Sequence, residues 1–217
     1  FPEDRSGDFT FTRGSNLAAT RVASNGLIEK GRENLLLQSN QFDTTWANTS
    51  SAETGGQAGY DGSSDAWLLE KNGANGRIAQ FINTSGVQTF SVYAKAGTLD
   101  WVSLWTNVGT SYFNLSSGTK GSTTASTTIG SEMESVGNGW YRCSLIFNTT
   151  INAVRIYPAN GDLDVSGTSG NIYIQDAQLE VGIVATDYIE SGATTAKAGL
   201  LENEPRIDFT GGGCGSL

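Results

Sequence analysis

In the run 100–106 (DWVSLWT), Trp101, Ser103 and Trp105 alternate with Val102 and Leu104. If that run is a strand, the smaller aliphatic pair is the natural core row and both indoles point outward. Four residues of strand hold the two rings about 13 Å apart, enough to span two or three sugar units. Indole faces stack on the C–H surfaces of pyranose rings, while Arg, Asn and Gln satisfy hydroxyls. Tyr93, Arg155 and Tyr157 fall on the polar rows of their own runs and extend the expected platform. The competing reading puts Trp101 and Trp105 in the core, with Val102 and Leu104 beneath a neighbouring subunit.

Catalysis has less to work with. The 217 residues include no histidine, which removes the Ser-His-Asp triad, the Cys-His dyad, the HExxH zinc site and the histidine proton shuttle. A glycosidase needs two carboxylates about 5–9 Å apart across a cleft. Asp100, Asp162, Asp164, Asp176 and Glu180 are available, and no spacing pairs two of them. The expectation is a chain that is not an enzyme. Calcium is the better case: Asp162-x-Asp164-x-Ser166-Gly167 imitates the start of a calcium loop, although Tyr173 stands where that loop needs Glu. A plain turn accounts for the same residues.

The net charge is −9, from 13 basic and 22 acidic residues, and no basic run exists to track a phosphate backbone. Nucleic acid is therefore not an expected partner. No apolar stretch approaches the roughly 20 residues of a membrane span, so no membrane insertion is expected either. Residues 1–30 also lack the basic-then-apolar layout of a signal peptide. Cys143 sits in an apolar row and Cys214 in a glycine run, and both are expected to be free thiols. Sequons at Asn48, Asn83, Asn114 and Asn148 are what chance supplies in a chain rich in Asn, Ser and Thr.

These side chains need a scaffold, and the pattern supplies one. Short alternating runs separated by Gly, Asn and Ser clusters predict strands at 33–39, 65–71, 76–82, 87–96, 100–106, 111–115, 122–129, 139–147, 152–157 and 171–180. That spacing describes an all-β, two-sheet antiparallel sandwich of jelly-roll type. Core rows are expected at Tyr141, Cys143, Leu145 and Phe147, at Phe90, Val92 and Ala94, and at Val154 and Ile156. The apolar row of 172–181 changes phase from Ile172 and Ile174 to Ala177, Leu179 and Val181, which predicts a β-bulge near Gln175 and Asp176. Asn138-Gly139 supplies the positive φ of a tight turn entering a strand. Trp140 and Tyr141 then place one large ring on each sheet face.

The two ends resemble each other: 19–31 reads ATRVASNGLIEKG and 193–204 reads ATTAKAGLLENE. The organisation expected is a leader over 1–31, a jelly roll over 32–191 and a connector over 192–217, one module cut from a longer or tandem chain.

Four pieces carry a further likeness: DFTFTRGSNLAATRVASNGLIE (8–29), NLLLQSNQFDTTW (34–46), GNGWYRCSL (137–145) and NIYIQDAQLEVGIVATDYIESG (171–192). Together they resemble a module of tailed-bacteriophage virion proteins, in which a short leader precedes a carbohydrate-binding-module-like jelly roll. PRIDFTGGGCGSL (205–217) looks like that family's connector. In this likeness NLLLQSNQF is the first sandwich strand and Trp46 a ring packed over the sandwich end. Many carbohydrate-binding jelly rolls hold a structural calcium at the position of Asp176, which adds it to Asp162 and Asp164 as a candidate ligand. No other cofactor is implied. The resemblance implies a virion-surface protein of a tail fibre or capsid decoration, partnered by other virion proteins, with a trimer as a candidate assembly. Two functions follow: attachment to a polysaccharide or cell-surface glycan, or a structural decoration or trimerisation domain without ligand.

Overall fold

The computed structural model describes residues 21–22, 28–29, 32–125 and 127–198. The chain divides into two compact units, Asn34–Ala196 and the two ends Phe1–Glu33 with Lys197–Leu217. In the ends, β1 (Arg21–Val22) pairs antiparallel with β2 (Ile28–Glu29). A further two-stranded sheet joins β3 (Arg32–Asn34) to β16 (Ala196–Ala198). Most of the 8–29 leader, the 205–217 connector and Cys214 lie outside the described residues.

The larger unit is a sandwich of two six-stranded antiparallel sheets, and the described residues contain no helix. The front sheet orders β11 (Thr119–Thr124), β10 (Gly109–Asn114), β9 (Trp101–Thr106), β14 (Ile151–Ala159), β7 (Arg77–Thr84) and β4 (Ala47–Thr49). The rear sheet orders β12 (Thr128–Gly137), β13 (Trp140–Asn148), β8 (Val87–Ala96), β15 (Gly170–Val181), β6 (Ala66–Lys71) and β5 (Ser51–Gln57). Late strands insert between early ones, β14 between β9 and β7 and β15 between β8 and β6, the interleaving of a jelly roll.

Alternation puts the expected rows between the sheets, apart from Val181 at the end of the last long strand, which is exposed. Phe90, Val92 and Ala94 of β8, Cys143, Leu145 and Phe147 of β13, and Ile172, Ile174, Ala177 and Leu179 of β15 meet Val102, Leu104, Phe113, Val154 and Ile156 from the front. Each of the large aliphatic or phenyl side chains contributes about 1.5–3 kcal/mol by leaving water. The bulge is present: register slips between Gln175 and Gln178 against β8, and Asp176 has φ 54°. The Asn138-Gly139 turn is present too, with φ 53° and 78°. Trp140 is buried on the outer side of the rear sheet, while Tyr141 packs against the core.

The edges depart from the expected pattern. Residues 33–39 are not a strand: beyond Asn34 the chain runs in turns, with Gln38 at φ 48°. Side-chain amides share the pairing there with scattered backbone bonds such as Leu35 N–H to the Leu179 carbonyl at 2.8 Å. Asn34 Nδ2 donates to the carbonyls of Ala177 (3.1 Å) and Ile189 (2.9 Å), and its Oδ1 accepts from the amides of Leu36 and Leu179. Gln80 grips Leu37 in the same way, accepting from its N–H at 2.7 Å and donating to its carbonyl at 2.8 Å. The single strand expected over 122–129 is the end of β11 and the start of β12, separated near Ala125 at φ 84°. Strands β4 and β5 were not expected at all.

Candidate functional site

The outer side of the front sheet is built by β9 and its two neighbours. Val102 and Leu104 face the core, so Trp101, Ser103 and Trp105 face out. Pairing then sets three rows across the sheet. Trp105 lies between Thr110 and Arg155, Ser103 between Tyr112 and Tyr157, and Trp101 between Asn114 and Ala159. Beyond β14, Ala79 stands opposite Arg155 and Phe81 opposite Ala153. Four of the five residues expected on a platform, Trp101, Trp105, Arg155 and Tyr157, therefore share one face.

The face is already organised by its arginines. The Arg155 guanidinium carbon sits 3.8 Å from the Trp105 ring centroid, and Arg155 Nη1 donates to the Tyr157 hydroxyl at 3.3 Å. The Arg77 guanidinium lies 5.7 Å from the Tyr157 centroid and donates to the Asn75 carbonyl. Such cation–π contacts contribute about 0.5–2 kcal/mol each, more as water is excluded. One face of Trp105 is thus occupied by the chain itself, a constraint that alternation alone does not reveal.

Trp101 lies down towards β11. A Cβ added at Gly121 would stand 2.6 Å from the indole Cζ3 and 2.6 Å from Asp162 Oδ1, so only glycine permits that approach. Asp162 closes this end, accepting from the Ser122 amide at 2.8 Å and hydroxyl at 2.7 Å. Tyr112 and Tyr157 are buried, at 8% and 7% exposure, while both indoles remain partly exposed. Burial also pushes the Tyr112 hydroxyl above its usual range, so it remains protonated. Rings, guanidinium N–H groups and neutral hydroxyls equip this face for non-covalent binding.

Tyr93 does not join the platform. It projects from β8 on the outer side of the rear sheet, where Tyr60 stacks on it at 3.8 Å and 6°. Trp140 meets Tyr60 edge-on at 6.4 Å, and the Arg142 guanidinium lies 5.2 Å from the Tyr93 centroid. Sequence alternation places a residue on an outer row but not on which of two sheets.

The aspartates have structural partners. Asp164 Oδ1 accepts from the Ser166 amide and hydroxyl, which holds its carboxyl below the usual range. Inside the same loop the buried Lys71 ammonium donates to Asn160 Oδ1 at 2.9 Å and to the Val165 carbonyl at 2.8 Å. These bonds fasten the 160–166 loop to β6. Asp176 lies elsewhere, at the bulge, 5% exposed, with Oδ2 accepting from the Tyr60 hydroxyl at 3.0 Å and its own N–H donating to Asn40. Burial pushes its carboxyl up to about 7, against the Tyr60 hydrogen bond and with the charges of Asp65, Asp61 and Glu190. Among the described residues no three His, Cys, Asp or Glu side chains gather as metal ligands.

The strongest motifs of the sequence are staples. Glu180 accepts from the amide and hydroxyl of Thr186, and Gln178 accepts from Ile189 N–H while its amide donates to the Thr186 and Asp187 carbonyls. These bonds lay the ATDYIE stretch over β15. Ser39 joins Tyr188 and Ser191, tying 34–46 to 171–192. Trp46, buried against Phe42 at 5.2 Å, donates to the Gln38 carbonyl.

Three front-face residues escaped the sequence reading. Tyr112 and Arg77 belong to recognised runs whose faces carry no clear alternation. Phe81, 71% exposed, is the clearest case. Gln80 turns inward to bind Leu37, which sends its apolar neighbour out. No protein-family model matches the chain, and no curated protein matches it.

Proposed function

We propose that the outer side of the front sheet is a non-catalytic glycan-binding surface, and that the chain is an attachment module displayed on a bacteriophage particle. The observation that carries the binding reading is the row Trp101–Ser103–Trp105, turned outward beside Arg155 and Tyr157. Pyranose C–H faces stack on the exposed indole surfaces, and the guanidinium and tyrosine groups serve sugar hydroxyls. The phage setting, a virion surface and contacts with other virion proteins, rests on the likeness of 34–46, 137–145 and 171–192 to tail-fibre and capsid-decoration modules. A glycan array probed with the purified chain tests the binding reading directly. The Trp101→Ala/Trp105→Ala variant should bind any polysaccharide found there about ten- to a hundredfold more weakly, as expected for losing two stacked rings. Unchanged affinity in a folded variant would remove the platform.

A second reading has its own support. Val181, Ile183 and Val184 at the end of the last long strand are 55–63% exposed, and three neighbouring apolar side chains suit a subunit contact in a trimeric decoration domain. Sedimentation equilibrium discriminates: a stable trimer dissociated by Ile183→Asp, together with a blank glycan array, would favour the structural role.

A further inference from the structure

The surroundings of Arg77 and Arg155 bear on which sugars the front face accepts, an inference that rests on the glycan-binding reading above. A guanidinium in a folded protein commonly ends on a carboxylate, whose geometry its planar fork matches. The chain offers 22 acidic residues for 13 basic ones, so partners are plentiful. Lys120, for example, pairs with Glu132 at 3.5 Å. Arg77 and Arg155 instead end on rings, a backbone carbonyl and a phenol. Among the described residues neither is given a carboxylate, and the Nε–H of each is buried without a hydrogen-bond partner.

Both side chains lean the same way across the sheet. Arg77 reaches from β7 over Tyr157 of β14, and Arg155 from β14 over Trp105 of β9. The result is a diagonal, Arg77–Tyr157–Arg155–Trp105, in which ring contacts hold two positive charges beside the proposed sugar-stacking rings. Both arginines are partly exposed, so N–H groups beyond those already bonded face solvent. We propose that this diagonal recognises an anionic glycan, through a carboxylate or a sulfate ester carried on a sugar stacked at the indoles. A singly bonded guanidinium beside a ring can take such a group by two parallel N–H···O bonds, which a neutral hydroxyl cannot reproduce. The chain's overall charge of −9 opposes polyanions at long range. Within about 8 Å at physiological salt, screening leaves the local pair of cations in control.

Two matched pairs of polymers test this: polygalacturonate against its methyl ester, and dextran sulfate against dextran. Titration calorimetry at 0.15 M salt should show the charged member of at least one pair binding tenfold or more tightly than its neutral partner. The pair that discriminates identifies carboxylate or sulfate as the group read. Arg77→Gln/Arg155→Gln should abolish the preference, and Arg77→Gln alone should reduce it if the double variant proves unstable. Equal or better binding of the neutral members overturns the anionic assignment and leaves glycan binding standing. Discrimination that survives the arginine changes in a folded variant also overturns it. No binding to either pair, with neutral hits on the glycan array, again removes only this inference; a blank array removes the glycan reading as well.

Discussion

On the rear sheet Tyr93 lies beneath Tyr60, ring on ring at 3.8 Å, with Trp140 at the edge and Arg142 alongside. On the front sheet Trp105 lies beneath Arg155 at the same distance, with Tyr157 and Arg77 alongside. The two outer faces share a chemistry of rings and guanidiniums, yet among the described residues only the rear one is covered by a ring from a folded-back loop. Residues 58–65 fold back over the rear face, held by Gln175, whose amide reaches Asp61, Ser63 and Asp65 and whose carbonyl accepts from Tyr60 N–H. The stretch 186–190 is laid beside it by Gln178 and Glu180. Front-sheet hairpins turn at residues 107–108 and 115–118, too short to reach back across the strands. Among the described residues, loop length rather than the residues of the sheet decides which aromatic face is filled from within.

The largest expected consequence of that difference is in stability. Trp140, 1% exposed under its cover, should cost about 3–5 kcal/mol when cut to alanine. Trp101→Ala, on the open face, should cost clearly less in stability and act on binding instead. Urea unfolding of the two variants measures both. Equal losses would mean that the front indoles are as structural as Trp140, and the contrast between the faces would collapse.

A second effect belongs to the cover alone. Asp176 is buried beneath Tyr60, and burial raises its pKa to about 7 in the fold, against an ordinary value of 3.8. The folded state therefore holds a proton through a range in which the unfolded chain has released it, so stability falls as pH rises from about 4 to 7. A rise from 3.8 to about 7 corresponds to about 4 kcal/mol at most. Asp61 and Asp164, whose pKa values are lowered by hydrogen bonds from Ser63 and Ser166, act oppositely and only in more acid solution. Asp176→Asn, which keeps a residue tolerant of φ near 54°, should flatten the decline and melt above the wild type at pH 8. Parallel melting curves for the two proteins from pH 4 to 9 would remove Asp176 as the source.

A third effect is one of access. The Cys143 thiol is fully buried between the sheets, and burial pushes its pKa far up. It should resist a thiol reagent in the native protein and react only on unfolding. Rapid native labelling at Cys143 would show that the sandwich opens at β13, so that neither outer face stands on a rigid frame.

What was legible in the sequence follows from where each strand sits. Central strands β8, β9, β13, β14 and β15 have one face in the core, and their alternation announced both the strand and its inward row. The four edge strands β4, β5, β11 and β12 are polar and rich in Ser, Thr and Gly, and they were missed or fused. An edge strand needs little apolar burial, so it leaves little period to read. NLLLQS failed in the opposite sense. It is apolar and at least half-buried, but Asn34 and Gln80 satisfy much of its backbone through side chains that no periodicity reports. For the site, alternation put Trp101 and Trp105 on one row and left open which way that row faces; the burial of Val102 and Leu104 turns it outward. Alternation did not assign Tyr93 to the other sheet, because strand order in a jelly roll is set by crossovers rather than by neighbours in sequence.

The smallest effect separates the two jobs of Tyr60. Its ring stacks on Tyr93, and its hydroxyl donates to Asp176 at 3.0 Å. Tyr60→Phe retains the ring and deletes the donor. If stacking alone holds the cover, the loss should be a few tenths of a kcal/mol and independent of pH. The geometry favours a larger and pH-dependent cost, because the hydroxyl stabilises the ionised carboxylate more than the neutral acid. The expected loss is about 1 kcal/mol at pH 5, where Asp176 is protonated, and about 2 kcal/mol at pH 8, where the bond is charge-assisted. The titration midpoint of Asp176 should rise accordingly, since the Tyr60 hydrogen bond is what lowers it. Melting of the Phe variant at both pH values, with Asp176→Asn as the background in which the difference should vanish, measures the coupling. A pH-independent loss would assign the cover to its stacked ring and leave the buried carboxylate as a bystander.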